Sequence, residues 1–318
     1  MKTIRHLTPW SVSIATALLS LSPAIGQVSL PFTDNFDSDT VGGTDPSFTT
    51  SSTYSSTLTN PKNSWSVVTP GIGGSGNGFQ STIANNSSTI YSAATVRTAA
   101  GSLSQGFTLS SDFNLETIPG TGARRSHIGL AAFGSVANLG VVGETGNNTT
   151  TCGIWPELEL SYTSGSQASS TVGSLGFVNF RNGGGNNGNI TIGTQSGANL
   201  AIDLTDTYTL SLAGNYDGSG DLTLLFTATD DTTSATASLS ETVSASIMSS
   251  YYSGNNFGIM DRLDASGTGS PVQSEQVLQD NFSLTAVPEP SVGCLLLAGL
   301  GALRVARRAC IAKRSMVA

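Results

Sequence analysis

Between Trp65 and Leu284 the chain is written in short runs where apolar and polar residues alternate, broken by Gly, Asn, Ser and Asp. Period-two alternation gives a strand one buried face and one solvated face. Such runs predict strands at Trp65–Val68, Phe107–Phe113, Ile128–Phe133, Phe177–Phe180 and Asn189–Ile192. Glu157-Leu158-Glu159-Leu160-Ser161-Tyr162 alternates cleanly, with Leu158, Leu160 and Tyr162 on one face. The clearest hairpin joins Tyr208–Ala213 to Leu222–Thr227 through a turn at Gly214–Gly220. One short helix is predicted around Ser240–Met248. About a dozen strands with so little helix predict an all-β fold, a two-sheet antiparallel β-sandwich.

Both ends break the alternation with continuous apolar runs. Lys2, Arg5 and His6 precede Trp10–Leu21, and Ala24-Ile25-Gly26 supplies a small-residue cleavage site. This is the layout of a secretory signal peptide, residues 1–26, leaving a mature chain that starts at Gln27. At the other end Val287-Pro288-Glu289-Pro290-Ser291 leads into Val292–Leu303, then Arg304, Arg307, Arg308, Lys313 and Arg314. A 12-residue apolar run makes roughly 18 Å of helix, short of the ~30 Å hydrocarbon core. Arg304 extends it by laying its aliphatic stem along lipid, and the basic end stays cytoplasmic.

The tail 287–314 resembles the PEP-CTERM sorting tail of Gram-negative bacteria. The resemblance implies recognition by exosortase, a membrane protease-transpeptidase, at Val287, Pro288, Glu289, Pro290 and Ser291, with Arg304, Arg307 and Arg308 as the stop. It also implies anchoring by the C-terminal membrane helix before processing, followed by release to the cell surface or extracellular matrix.

The body between these signals, residues 27–286, suits one domain in length. It holds 20 acidic and six basic residues, a balance of −14. Nucleic acid is therefore not expected as a partner, because phosphate binding needs a basic surface. Of Cys152, Cys294 and Cys310 only Cys152 belongs to the body, so no intramolecular disulfide closes it. Its one histidine, His127, excludes a His-rich zinc site and is read as flanking the strand Ile128–Phe133.

Phe32-Thr33-Asp34-Asn35-Phe36-Asp37 opens the body and Asp280-Asn281-Phe282-Ser283-Leu284 closes it, with Phe257-Gly258-Ile259 before the last strand. With the Tyr208 hairpin between them, this pattern resembles the concanavalin A-like or laminin-G-like jelly roll. That resemblance implies that the first and last strands pair. Alternation then sets Asp34 beside Phe36 on one face and Asp280 beside Phe282. Two carboxylates meeting at the sandwich edge would repel, and a Ca²⁺ ion held by Asp34, Asp37 and Asp280, with Asp39 in reach, would resolve this. The competing reading has each Asp accepting backbone N–H bonds in a turn, or pairing with an arginine. Asn215–Asp221 matches the first half of an EF-hand loop, but Phe226 stands where a bidentate Glu is required, so it reads as a hairpin turn.

Glu157 and Glu159 resemble part of the Glu-x-Asp-x-(x)-Glu strand of laminarin- and agar-cleaving glycoside hydrolases, yet Ser161 and Tyr162 occupy the acid/base position. A solvated strand exterior explains the pair equally well, and no catalytic residue is assigned. Gly71–Gly76 fits a dinucleotide-loop spelling without a following helix and reads as a glycine loop. Thr49–Thr59 reads as a flexible or glycosylated loop, and the sequons at Asn85, Asn86, Asn147, Asn148, Asn189 and Asn281 follow from composition. The leading expectation is a non-enzymatic exported surface or matrix protein. Its alternative is a carbohydrate-binding module for exopolysaccharide, using Trp155, Tyr251 and Tyr252; a glycosidase is third.

Overall fold

The computed structural model describes residues 27–54, 62–85, 89–117, 123–134, 153–161, 174–182, 199–203, 206–265 and 273–287. Residues 1–26, the predicted tail beyond Val287, Cys152 and the predicted strand at Asn189–Ile192 lie outside the described residues. The described chain forms β1 (Gln27–Val28), β2 (Phe32–Asp34), β3 (Thr49–Tyr54), β4 (Lys62–Val68), β5 (Gly78–Asn85), β6 (Thr89–Thr98), β7 (Gly106–Thr117) and β8 (Ala123–Gly134). It continues with β9 (Ile154–Ser161), β10 (Ser174–Asn182), β11 (Asn199–Ile202), β12 (Thr207–Tyr216), β13 (Leu222–Asp230) and β14 (Thr236–Val243). A helix α1 (Ala245–Tyr251) precedes β15 (Asn256–Ala265) and β16 (Gln273–Ala286).

These strands make two sheets of eight. The first runs β6-β15-β8-β9-β10-β11, with β1 and β3 both paired to β6; the second runs β14-β13-β12-β7-β16-β5-β4, with β2 paired to β16. Every pairing is antiparallel except β1 with β6. The expected union of first and last strands is present, with Asp34 opposite Phe282, Thr33 opposite Ser283 and Phe32 opposite Leu284. The predicted hairpin is β12–β13; the second strand starts at Leu222 as expected, but the two run further than expected, to Tyr216 and to Asp230. Gly214 stays in the ladder because the Phe107 ring fills the space where its side chain would be, 2.4 Å from an added Cβ.

Two elements differ from expectation. Thr49–Tyr54 is a strand on β6 and not a loop, since its Thr, Ser and Tyr residues suit a polar edge. Ser240–Val243 belongs to β14, whose alternating burial carries it to Val243; the helix begins only at Ala245.

The sheets pack face to face. Ile128, Leu130, Leu158 and Ile259 of the first meet Phe79, Phe113, Leu210, Leu224, Phe226 and Val277 of the second, all fully buried. Polar links cross this layer. Trp65 Nε1 donates to Ser92 Oγ at 2.6 Å, and Ser81 Oγ donates to Asp261 Oδ2, so each joins one sheet to the other.

Burial pushes the Asp261 carboxyl up to about 7, against the opposing hydrogen bond from Ser81 and the nearby His127. The native state thus keeps the proton through a range where the unfolded chain releases it, so unfolding becomes easier as pH rises from about 4 to about 7 and levels off above. We expect this group to cost roughly 4 kcal/mol of stability between those limits. Asp261→Asn should remove that slope, leaving stability little changed near pH 4 and higher near pH 8; urea unfolding at both values measures it.

Candidate functional site

The first sheet is buried on both faces. On the face turned away from the second sheet, Ala93, Ala131, Trp155 and Met260 form a separate apolar cluster. The same face carries His127, Glu157, Glu159 and Arg262, which are 0, 0, 4 and 2% exposed. Register assembles them: His127 stands opposite Glu159 on one side and Arg262 on the other, while Glu157 stands opposite Gly129. Glycine is needed there, since an added Cβ would lie 2.6 Å from the Pro156 carbonyl oxygen and 3.1 Å from Glu157 Cα. His127 Nδ1 lies 3.1 Å from Glu157 Oε1, and Arg262 Nη1 lies 3.9 Å from the same oxygen.

This corrects three expectations. Glu157 and Glu159 are not a solvated exterior, His127 lies within β8 rather than beside it, and Trp155 is not an exposed ring (4% exposed). The alternation assigned faces correctly; what it lacked was that this sheet has no wet face here. One ligand atom from each of His127, Glu157 and Glu159 falls within 4.8 Å of the others. Arg262 already supplies a cation to Glu157, and the four side chains are closed from solvent, so the group is arranged as a buried charge network.

An open cleft of about 420 Å³ lies where β6, β8 and β12 end and β15 begins. Phe133, Tyr216, Tyr252 and Phe257 line it with rings, and Ser104 and Asn255 with polar groups. Its rear wall is rigid: Phe107, Phe133 and Phe257 pack edge to face at centroid distances of 5.1 to 5.5 Å. Asn255 is fixed by donating Nδ2 to the Thr98 carbonyl at 2.6 Å, while Thr98 N donates to the Asn255 carbonyl at 2.9 Å. Tyr216 is half-buried, and burial raises its phenol above the usual range, keeping it protonated. No described residue of the lining is charged. Of the aromatics singled out in the sequence, Tyr252 lines the cleft, while the Tyr251 side chain lies outside the described ones.

The carboxylates of the first loop are arranged otherwise than alternation implies. Phe36 and Asn281 both take positive φ, 58° and 50°, and the β16–β7 register shifts between Asp280 and Ser283, so period two fails at both segments. Asp34 Oδ1 accepts the Phe36 N–H at 2.9 Å. Asp37 accepts the Asn77 N–H at 2.8 Å, and Asp280 accepts the Asn281 N–H at 2.7 Å. The carboxylates that approach within 4.8 Å of one another are Asp34, Asp39 and Asp45, with Asp37 and Asp280 outside that trio. Asn215–Asp221 is the β12–β13 turn: Asp217 Oδ1 accepts the Ser219 and Asp221 N–H groups, and Asp221 Oδ1 accepts that of Ala245. Gly71–Gly76 is a loop containing a single 3-10 turn at Ile72–Gly74.

No protein-family model matches the chain, and no curated protein matches it. Among solved structures it is similar to lectin II from Ulex europaeus, with 11% identity over 80% of this chain and 98% of that one, at a TM-score of 0.40. It is also similar to an alginate lyase from Aplysia kurodai, with 12% identity over 70% and 87% at 0.40. Arcelin-5, a lectin-like defence protein from Phaseolus vulgaris, shows 12% over 81% and 98% at 0.36. Nothing about ligand or chemistry is carried over from likenesses this distant.

The cleft had little sequence signal, because its rings come from four separated segments and share no period. Asp45 was missed because it follows the strand pattern by eleven residues and enters the trio through a folded loop. For the buried network, Glu157→Gln leaves Arg262 and His127 without their shared carboxylate in a dry site, a loss of about 3 kcal/mol. Chemical denaturation should read this as a loss of stability.

Proposed function

We propose that this chain is an exported surface or matrix protein whose sandwich binds a neutral glycan in the Tyr216–Tyr252 cleft. The cleft carries the reading. It has the volume of a small-ligand site, one half-buried ring, Tyr216, against which a sugar face can stack, and hydrogen-bonding groups held by backbone contacts. Its lining has no charge and the body carries −14, so a polyanionic polysaccharide would be repelled where a neutral one is not. Tyr216, half-buried at the rim, is the residue that meets the sugar. Tyr216→Ala should weaken binding of neutral oligosaccharides at least tenfold by titration calorimetry, with the melting temperature within a few degrees of wild type. Unchanged affinity would remove the cleft from consideration.

The address rests on the two ends of the sequence: the signal peptide at 1–26 and the Pro-Glu-Pro box, apolar run and arginines of 287–314. On this reading exosortase processes the tail and the cell surface or surrounding polysaccharide receives the body. Mass spectrometry of protein recovered from the cell surface should find no peptide beyond the Ser291 region. An intact Arg307-Arg308 tail on exported protein would count against the address.

A further inference from the structure

We infer that Asp34, Asp39 and Asp45 form a Ca²⁺ site that fastens the loop 35–48 to the body of the sandwich. Asp34 ends β2, on the strand paired with β16, while Asp39 and Asp45 lie in the loop that follows. The loop is already seated at several points. Gly42 N donates to the Val67 carbonyl at 2.8 Å and Val67 N to the Gly43 carbonyl at 2.9 Å. Phe36 stacks on Phe79 with centroids 5.3 Å apart, and Phe48 packs against Phe79 and Phe282. Those contacts draw the three carboxylates together, with one oxygen of each within 4.8 Å of the others. Oxygens bound to one Ca²⁺ at about 2.3–2.6 Å lie up to roughly 5 Å from each other, so the spacing fits a shared ion.

A separate observation points to a ligand. Asp45 is only 1% exposed. Its Oδ1 accepts the Ser47 N–H at 2.6 Å, but its Oδ2 is buried with no hydrogen-bond partner. The groups facing that oxygen are the Asp34 and Asp39 carboxyls, which hydrogen-bond to Asp45 only while a proton is shared among the three and repel it once all are ionised. Burial and mutual repulsion raise all three carboxyls, and none of the interactions acting on them comes from a Lys, Arg or His. A buried charge with no compensating partner is costly, and a hard dication with oxygen preference supplies what the site lacks. An all-oxygen set on a loop of adjustable geometry suits Ca²⁺ better than Mg²⁺, which demands near-ideal octahedral coordination.

The test is thermal unfolding of the purified mature protein across a calcium titration, from chelator to several millimolar CaCl₂, with calorimetric binding of Ca²⁺ alone. Wild type should melt several degrees higher as calcium saturates, because the ion binds only the folded state. Asp39→Asn and Asp45→Asn should each shift the calcium midpoint at least tenfold upward. Asp39 is half-exposed, so its variant tests the site even if the Asp45 variant folds poorly. Asp37→Asn and Asp280→Asn should leave the midpoint within about twofold. No calcium-dependent shift in wild type would overturn the inference. So would a response lost in the Asp37 or Asp280 variants but kept in the Asp39 variant.

Discussion

The two last strands of the chain occupy the middle of the two sheets, and the fold depends on that placement. In the first sheet β15 is hydrogen-bonded to β6 on one side and β8 on the other. In the second, β16 pairs with β7 along one side and with β5 and β2 along the other. Without them the first sheet separates into β1-β3-β6 and β8 to β11, and the second into β2, β4-β5 and β7-β12-β13-β14. Both hydrophobic layers are therefore completed only when residues 256–286 arrive. Contacts this distant in sequence carry a large loop-closure cost and fold slowly.

The interior is less apolar than a sandwich of this size requires. Asp261, Ser81, Ser92 and the Trp65 indole lie between the sheets, and Gln279 is fully buried on β16. Each hydrogen bond across the layer contributes only about 1 kcal/mol, while an ionised Asp261 costs more than that. What the links supply is registration. Two sheets meeting through alkyl and aromatic side chains can slide by a residue pair at small cost, whereas the Trp65–Ser92 and Ser81–Asp261 pairs fix one alignment. The same logic governs the far face of the first sheet, where His127, Glu157, Glu159 and Arg262 stand in adjoining rows of three strands and reward a single strand register.

Much of this architecture is legible in the sequence. The class and the β12–β13 hairpin follow from alternation, because strand faces and hairpin partners are local consequences of period two, while the union of the Asp34 and Phe282 segments was implied by the jelly-roll resemblance. The failures share one cause. Glu157 and Glu159 were readable as facing away from the sandwich core, but whether that face is wet depends on what covers the sheet, and alternation carries no such information. Alternation and strand pairing set Asp280 near Asp34, with Asp37 in reach, and these carboxylates do feel one another's charge. Left-handed Phe36 and Asn281 and the bulge after Asp280 break the period, and the trio within 4.8 Å is Asp34, Asp39 and Asp45 instead. The Tyr216–Tyr252 cleft is assembled from strand ends, where neither period two nor period 3.6 applies.

Charge separates the sites more sharply than position does. The body is strongly acidic, yet the described lining of the cleft is uncharged and Glu157 of the first sheet has Arg262 near it, whereas Asp34, Asp39 and Asp45 meet with no basic group among the interactions acting on them. A loop held by that trio also packs Phe36 and Phe48 onto Phe79 and Phe282, and Phe79 and Phe282 belong to β5 and β16. Cation binding there would be felt along β16, the strand on which the second sheet depends. Weak all-oxygen sites on extracellular modules work at about 0.1–1 mM calcium. On the proposed reading that the chain is exported, calcium at extracellular concentrations would stabilise the folded sandwich by the free energy of filling that loop.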